Sequence, residues 1–428
     1  MLAVVGLALA GCATAPGPVD LDGVEVRAEV AFVGAPSADV DELAIARAGA
    51  MSRLGTELVA TKPGENMVVS PVSVLLAFAM LREGASGQTA DELDAMFAFD
   101  PAEPGEAIAT LRANLAGFDG DVSLVDSEEP PAEPLLHVAD ALFAAPDVAL
   151  GPEFLDRIAR FHDAGVFEAD FAAKKAKPLL DAWVARETGG LIDEAPNDPD
   201  PDTKLALFNA VVFAAQWQRW FDVDETTERP FTLADGSDVT VDMMTGVFEV
   251  RYAARDGWRA VELPYAAGFA MLLALPDEGS GPLSVEQWAA VREEFAPASD
   301  GDLPLDEDHS PELDLSVVAL WLPRWEFGAS LDLMETLGPL GLAAPFDDRG
   351  ELYEVFPGGY VTDAAHTATI TVAESGTVAA AITQIAMTES AAPVPNVELR
   401  LDRPFDFQIV ASTDQLPLFT GHVANPAE

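Results

Sequence analysis

The chain predicts an α+β fold built as one large domain, and three features of its sequence predict it. Apolar residues recur at helical spacing from Asp41 to Leu58. An apolar run from Leu207 to Phe213 has the length and composition of a buried strand, and no interior stretch reads as a clean linker. Length alone would allow two or three domains, so the missing linkers argue for one. At 428 residues and 49% apolar content the chain can bury a core that needs no disulfides. The single cysteine, Cys12, has no partner for an internal bridge.

In chain order, Leu43, Ala46, Ala50, Met51, Leu54 and Leu58 mark the buried face of an opening helix. Asn66 to Val69 is a short strand. Ser70 then caps a second helix, with Pro71 tolerated in its first turn, that runs to about Arg82. Gly84 to Thr89 breaks the chain before a further helix over Ala90 to Phe97. No internal repeat is present.

The most informative stretch is Val372 to Ala392. It contains no proline, one glycine and two charges, and is otherwise mostly small or β-branched, so nothing steric prevents it from forming a strand. Ala368 to Val372 before it already alternates as a strand, and Pro393-Val394-Pro395 after it forbids regular central pairing. As a strand it would place Thr377, Ala379, Ala381, Thr383, Ile385 and Met387 on one face and Val378, Ala380, Ile382, Gln384, Ala386 and Thr388 on the other. Neither face carries a charge, whose unpaired burial would cost several kcal/mol. The plain alternative is an Ala/Thr-rich surface linker.

Glu374, Gly376, Thr377, Ala379, Ala380, Ala381 and Thr383 resemble the hinge of the serpins, a family of suicide inhibitors of proteases, with Ser375 standing where a second glutamate is common. Further similar segments follow in the family's order from Asp41 to Pro426. They include Asn66 to Thr89, Ala139 to Phe143, Trp183 to Ile192, Leu207 to Trp217, Leu263-Pro264-Tyr265, Leu322 to Trp325, Arg403 to Phe407 and Leu418 to Pro426. Asp140 and Asp181 replace usual asparagines, and Asp406 is a charge in an apolar position. The resemblance implies a serpin fold of three β-sheets with eight or nine helices. It also implies a single domain over 41–428 and an exposed reactive-centre loop at about 374–395.

The same resemblance implies roles for single residues. Ser70, Ser73, Asn209 and His366 would form a polar shutter beneath the central sheet. Trp217 would plug the place where the loop first enters, a reading that simple core packing rivals, and Glu374 would anchor the hinge there. Counting at the family's usual spacing from Glu374 puts the reactive bond between Ser390 and Ala391, which suits an elastase-like or subtilisin-like protease. Met387 is the alternative and would suit a chymotrypsin-like pocket; with neither Lys nor Arg in the loop, trypsin-like targets are disfavoured.

The formal net charge of −50, from 73 acidic and 23 basic residues, opposes binding to nucleic acid, heparin-like polyanions and anionic lipid. Asp300, Asp302, Asp306 and Asp308 follow no EF-hand spacing, so a solvated acidic loop is expected rather than a metal site. Residues 1–12 form a short apolar run whose end, Leu9-Ala10-Gly11-Cys12, is similar to a bacterial lipobox, although a basic start is missing. Lipidation at Cys12, residues 13–40 as a flexible tether, and export to a bacterial envelope or beyond are the expectations. The membrane would be touched only through that anchor, and a monomer without cofactor is expected.

Two function classes remain: a covalent protease trap, and a non-inhibitory binding or carrier protein on the same fold. The uncharged hinge favours the first. An enzyme is disfavoured because G-x-S-x-G, S-x-x-K, H-E-x-x-H and P-loop motifs are missing.

Overall fold

The computed structural model describes residues 21, 25–37, 39–126, 130–173, 176–195, 198, 200–297, 315–348, 350–377 and 394–428. The first half of the chain runs through β1 (Glu25–Val26), α1 (Glu42–Val59), β2 (Met67–Val69), α2 (Pro71–Arg82), α3 (Gly87–Phe97), α4 (Pro104–Leu115), β3 (Leu135–Ala144), α5 (Pro152–His162), β4 (Val166–Glu168), α6 (Ala176–Glu187) and β5 (Leu205–Gln216). Next come β6 (Thr227–Thr232), β7 (Asp238–Arg255), β8 (Trp258–Pro264), β9 (Phe269–Pro276), α7 (Val285–Glu294), β10 (Leu315–Pro323), β11 (Trp325–Asp332) and α8 (Leu333–Leu337). The last five strands are β12 (Asp363–Ala373), β13 (Gly376–Thr377), β14 (Val397–Arg400), β15 (Phe405–Ala411) and β16 (Pro417–Val423).

The α+β class is as expected, and the described residues hold eight α-helices. The sheets differ from the expected three in being joined into two hydrogen-bonded assemblies. One has seven strands in the order β1-β4-β3-β5-β13-β12-β11; the other has nine. The reason is β7, which pairs with β6 and β10 along its first part and with β8 at its end, and so fuses two sheets along one strand.

Local chemistry starts α1 and α2 where the sequence places them, whereas α3 begins at Gly87, three residues before the expected Ala90. Asp41 caps α1 by accepting the Ala44 amide at 2.8 Å, and Ser70 caps α2 by accepting from Ser73, with Pro71 in the first turn. α2 is almost wholly buried and belongs to the main core, which also takes the odd-numbered positions Leu205, Leu207, Val211, Phe213 and Ala215 of β5. Even-numbered Ala206, Phe208 and Ala210 face the opposite side, where Trp183 and Leu180 of α6 pack with Phe143 of β3. The period of two thus aims Asn209 inward, toward the start of α2.

The aspartates that depart from the family pattern each have a partner. Asp140 takes a 2.6 Å bond from Arg112, and burial pushes its carboxyl up while Arg112 opposes that shift. Asp181 accepts from Lys177 at 2.5 Å and from the Ala195 amide at 2.8 Å. Asp406 meets His422 at 2.6 Å and the Leu283 amide at 2.6 Å.

Within the stretch expected as a tether, residues 25–37 make contacts with the body. β1 pairs antiparallel with β4, the Val33 amide donates to the Arg160 carbonyl at 3.0 Å, and Ser37 exchanges backbone bonds with the Asn114 amide group.

Candidate functional site: seam and hinge of the central sheet

Strands β5 and β12 are neighbours in the seven-stranded sheet but pair directly, and in parallel, only over Ala206–Asn209 against Asp363–His366. At the other end β13 stands between them, with Gly376 and Thr377 opposite Gln216 and Ala215 on one side and opposite Ala373 and Val372 on the other. Between these two zones, Ala210 to Ala214 and Thr367 to Thr371 have no ladder partner across the seam among the described residues. The sheet is closed at one end and wedged apart at the other by two residues of the hinge.

The four residues read as a shutter meet where the direct pairing ends. His366 is fully buried; its Nε2 accepts from the Ser70 backbone N–H at 2.9 Å, which leaves Nδ1 to donate to Asn209 Oδ1 at 2.8 Å. The Asn209 amide nitrogen donates in turn to Ser73 Oγ, and the Ser73 backbone N–H donates to Ser70 Oγ at 3.3 Å. Burial pulls the His366 ring down from 6.5 to about 4, so it is neutral at ordinary pH, as the acceptor role of Nε2 requires.

The hinge is clasped from several sides. Glu374 and Ser375 make the turn between β12 and β13. Arg324 Nε lies 2.8 Å from both Glu374 carboxylate oxygens, and Thr226 donates to the same group. Glu374 is 4% exposed, so losing that partner would strand a buried charge. A cavity of about 470 Å³ lies against this pair, walled in part by Trp220, Phe221 and Trp325. A Cβ at Gly376 would come within 2.1 Å of the Ala215 carbonyl oxygen, so glycine is what lets the turn close onto β5.

Trp217 had two readings, plug or core, and its geometry serves both. It is 1% exposed and packs in the main core, while its backbone N–H donates to the Ser375 carbonyl and its indole N–H to the Ala373 carbonyl, both at 2.9 Å. Its ring stacks on Tyr265, with centroids 4.4 Å apart and planes 15° apart. Tyr265 is a residue to which the sequence assigned no role, although Leu263-Pro264-Tyr265 was among the similar segments. Its hydroxyl meets Thr377 Oγ1 at 2.5 Å, with both residues buried.

The remaining named residues, Ala379, Ala380, Ala381, Thr383, Met387, Ser390, Ala391 and Cys12, lie outside the described residues, as do Asp300 to Asp308. Among the described residues no group of three His, Cys, Asp or Glu side chains could hold a metal ion.

A central sheet whose strands β5 and β12 pair directly at one end and are held apart by β13 at the other is the architecture to be compared with known proteins. The serpin family model (serine protease inhibitor) matches residues 50–426. The putative serpin-Z12 of Oryza sativa subsp. japonica is 32% identical over 397 residues, covering 85% of this chain and 86% of that one. The leukocyte elastase inhibitor of Bos taurus is 32% identical over 378 residues, covering 85% of this chain and 94% of that one. Among solved structures, the native state of the thermophilic serpin tengpin superposes with a TM-score of 0.76 at 23% identity, covering 94% of this chain and 100% of that one. The chain belongs to the serpin family of serine protease inhibitors, which are not enzymes.

Proposed function

We propose that this chain inhibits its target by covalent trapping: the catalytic serine of a protease attacks the reactive-bond carbonyl, an ester forms to the upstream arm as the peptide C–N bond breaks and the downstream segment leaves as the amine, and the esterified arm then enters the seam between β5 and β12. The observation that carries this reading is the register of β13. Continued along the same ladder, the pairing of Thr377 with Ala215 and Val372 brings Thr383 opposite Asn209 on one side and His366 on the other. Thr383 is six residues from Thr377, so in a continued strand it would face the same, inward side. An arriving hydroxyl at that level can take over the polar groups that release each other as the Asn209–His366 bond breaks. Re-pairing makes the exchange nearly neutral, whereas an apolar residue there would leave buried groups unpaired at about 1 to 3 kcal/mol.

The arm between them is uncharged and free of proline. About 14 residues at ~3.3 Å each would give a strand of roughly 45 Å, enough to drag an attached enzyme along the sheet. The reactive bond is assigned to Ser390–Ala391, with Met387 as the alternative. Small residues there fit an elastase-like or subtilisin-like enzyme, and the likeness to a leukocyte elastase inhibitor points the same way. Lipidation at Cys12, export and a place on or outside the cell envelope belong to the same proposal.

The test pairs two measurements on the purified chain. Incubation with elastase-, subtilisin- and chymotrypsin-like enzymes should give an SDS-stable complex, and mass spectrometry of the released C-terminal peptide should begin at Ala391. Nicking the loop with a non-target protease should raise the melting temperature markedly. A nicked form that melts no later than the intact one would leave only a carrier on the same fold.

A further inference from the structure

Thr377 is already inside the sheet of the uncut chain, and among the described residues its hydroxyl has one partner there, the phenol of Tyr265. We propose that Tyr265 is the positioning residue that holds the hinge in this advanced place, so that strand insertion starts from a hinge already paired at Gly376 and Thr377 rather than from an empty seam. The inference rests on the trapping mechanism proposed above.

Tyr265 is itself fixed on every side. Its backbone N–H donates to the Phe269 carbonyl at 3.0 Å, and it forms an isolated β-bridge with Trp217. Phe213 meets its ring edge to face at 5.2 Å, and Trp217 stacks on it. A phenol held this rigidly offers its oxygen at one point only, and Thr377 Oγ1 occupies that point. Both groups are 2% exposed. The phenol cannot serve as an ion there, since burial pushes its ionisation far above the ordinary tyrosine range. It acts as a neutral donor or acceptor.

The energetics follow from an asymmetry. With the hinge inside, each hydroxyl needs the other; with the hinge outside, Thr377 is solvated and Tyr265 faces the opened seam. Removing one hydroxyl therefore penalises only the inserted hinge, and removing both penalises neither strongly. Trp217 adds bonds to Ala373 and Ser375, but these are made to the backbone and hold the turn whatever side chain follows. Among the described residues, the bond to Tyr265 is the hydrogen bond made by the side chain at 377, and it links that residue to the wedged end of the sheet.

The experiment compares deuterium uptake of the segment Ala373 to Thr377 in the intact, uncut protein. Tyr265→Phe keeps the stack on Trp217 and should raise uptake about tenfold or more, as should Thr377→Val. The double variant should fall back toward the unaltered chain, and Thr377→Ser, which keeps the hydroxyl, should match it. Uptake in Tyr265→Phe equal to that of the unaltered chain, or a double variant that opens as far as the two single changes added together, overturns the proposal. With a protease that is trapped, Tyr265→Phe should be cleaved without capture roughly twofold more often or worse; an unchanged ratio also overturns it. The uptake comparison needs no protease, so a chain that traps nothing would sink the inhibitory function while leaving the hinge result to be read by itself.

Discussion

His366 Nδ1 and Asn209 Oδ1 face each other at 2.8 Å across the one stretch where β5 and β12 pair directly. The bond joins the two strands at the end of their direct pairing, and the same two side chains also bond Ser70 and Ser73 at the start of α2. Opening the seam therefore means trading this bond for another.

Replacing His366 by alanine leaves the Ser70 amide and the Asn209 carbonyl oxygen buried without a partner, at about 1 to 3 kcal/mol each. The seam should open more readily, and mild heating should yield polymers in which one molecule's loop pairs with another's open sheet. Size-exclusion chromatography after heating reads this directly. A variant that stays monomeric under conditions that leave the unaltered chain monomeric would refute the latch.

The same histidine gives stability a pH dependence of known sign. Its ring titrates near 6.5 when unfolded and at about 4 in the folded chain, so between those values the unfolded state binds more protons. The stability that His366 contributes is complete above pH 6.5 and is lost as the pH falls toward 4, by on the order of 3 kcal/mol. Protonation would also put a hydrogen on Nε2, against the Ser70 N–H. Urea unfolding from pH 7.5 to 4 should therefore show a steeper decline for the unaltered chain than for His366→Gln, and parallel curves would contradict it.

Thr377 sits at 2% exposure in the intact chain. Arginine there must either bury an unpaired charge, costing several kcal/mol, or drive the hinge out of the sheet. Thr377→Arg should be cut by the target protease without capturing it. A persistent SDS-stable complex on a gel would contradict that.

Thr383→Val tests the exchange of bonds at the seam. Intact stability should change little, whereas the gain in stability on nicking should shrink by about 1 to 3 kcal/mol, because Asn209 and His366 then meet a methyl group. Equal gains for both chains, measured by guanidinium unfolding, would show that no hydroxyl is needed at that level.

Much of the site was legible in the sequence. Ser70, Ser73, Asn209 and His366 were legible as a resemblance, and the absence of charge and proline in the hinge was legible from elementary chemistry. Ser70 also announced itself as a cap because it precedes proline and an apolar run. Tyr265 was not legible as a hinge residue, since it lies 112 positions from Thr377 and no local pattern links a strand-end phenol to a distant threonine. The docking of residues 25–37 was hidden for a similar reason. Their Ala, Val, Gly and Pro content resembles a linker, and only the free edge of β4 gives β1 somewhere to pair.

By itself the sequence determined the class of fold, the starts of α1 and α2 and the chemistry of the arm, because periodicity, capping and the cost of burying charge act over neighbouring residues. Tertiary structure alone decided that Gly376 and Thr377 are already in the sheet and that Arg112 would neutralise Asp140. It also decided that Thr377 pairs with Ala215 and Val372. Each of these depends on where two remote segments meet in space, a matter governed by packing and ladder geometry rather than by any preference written along the chain.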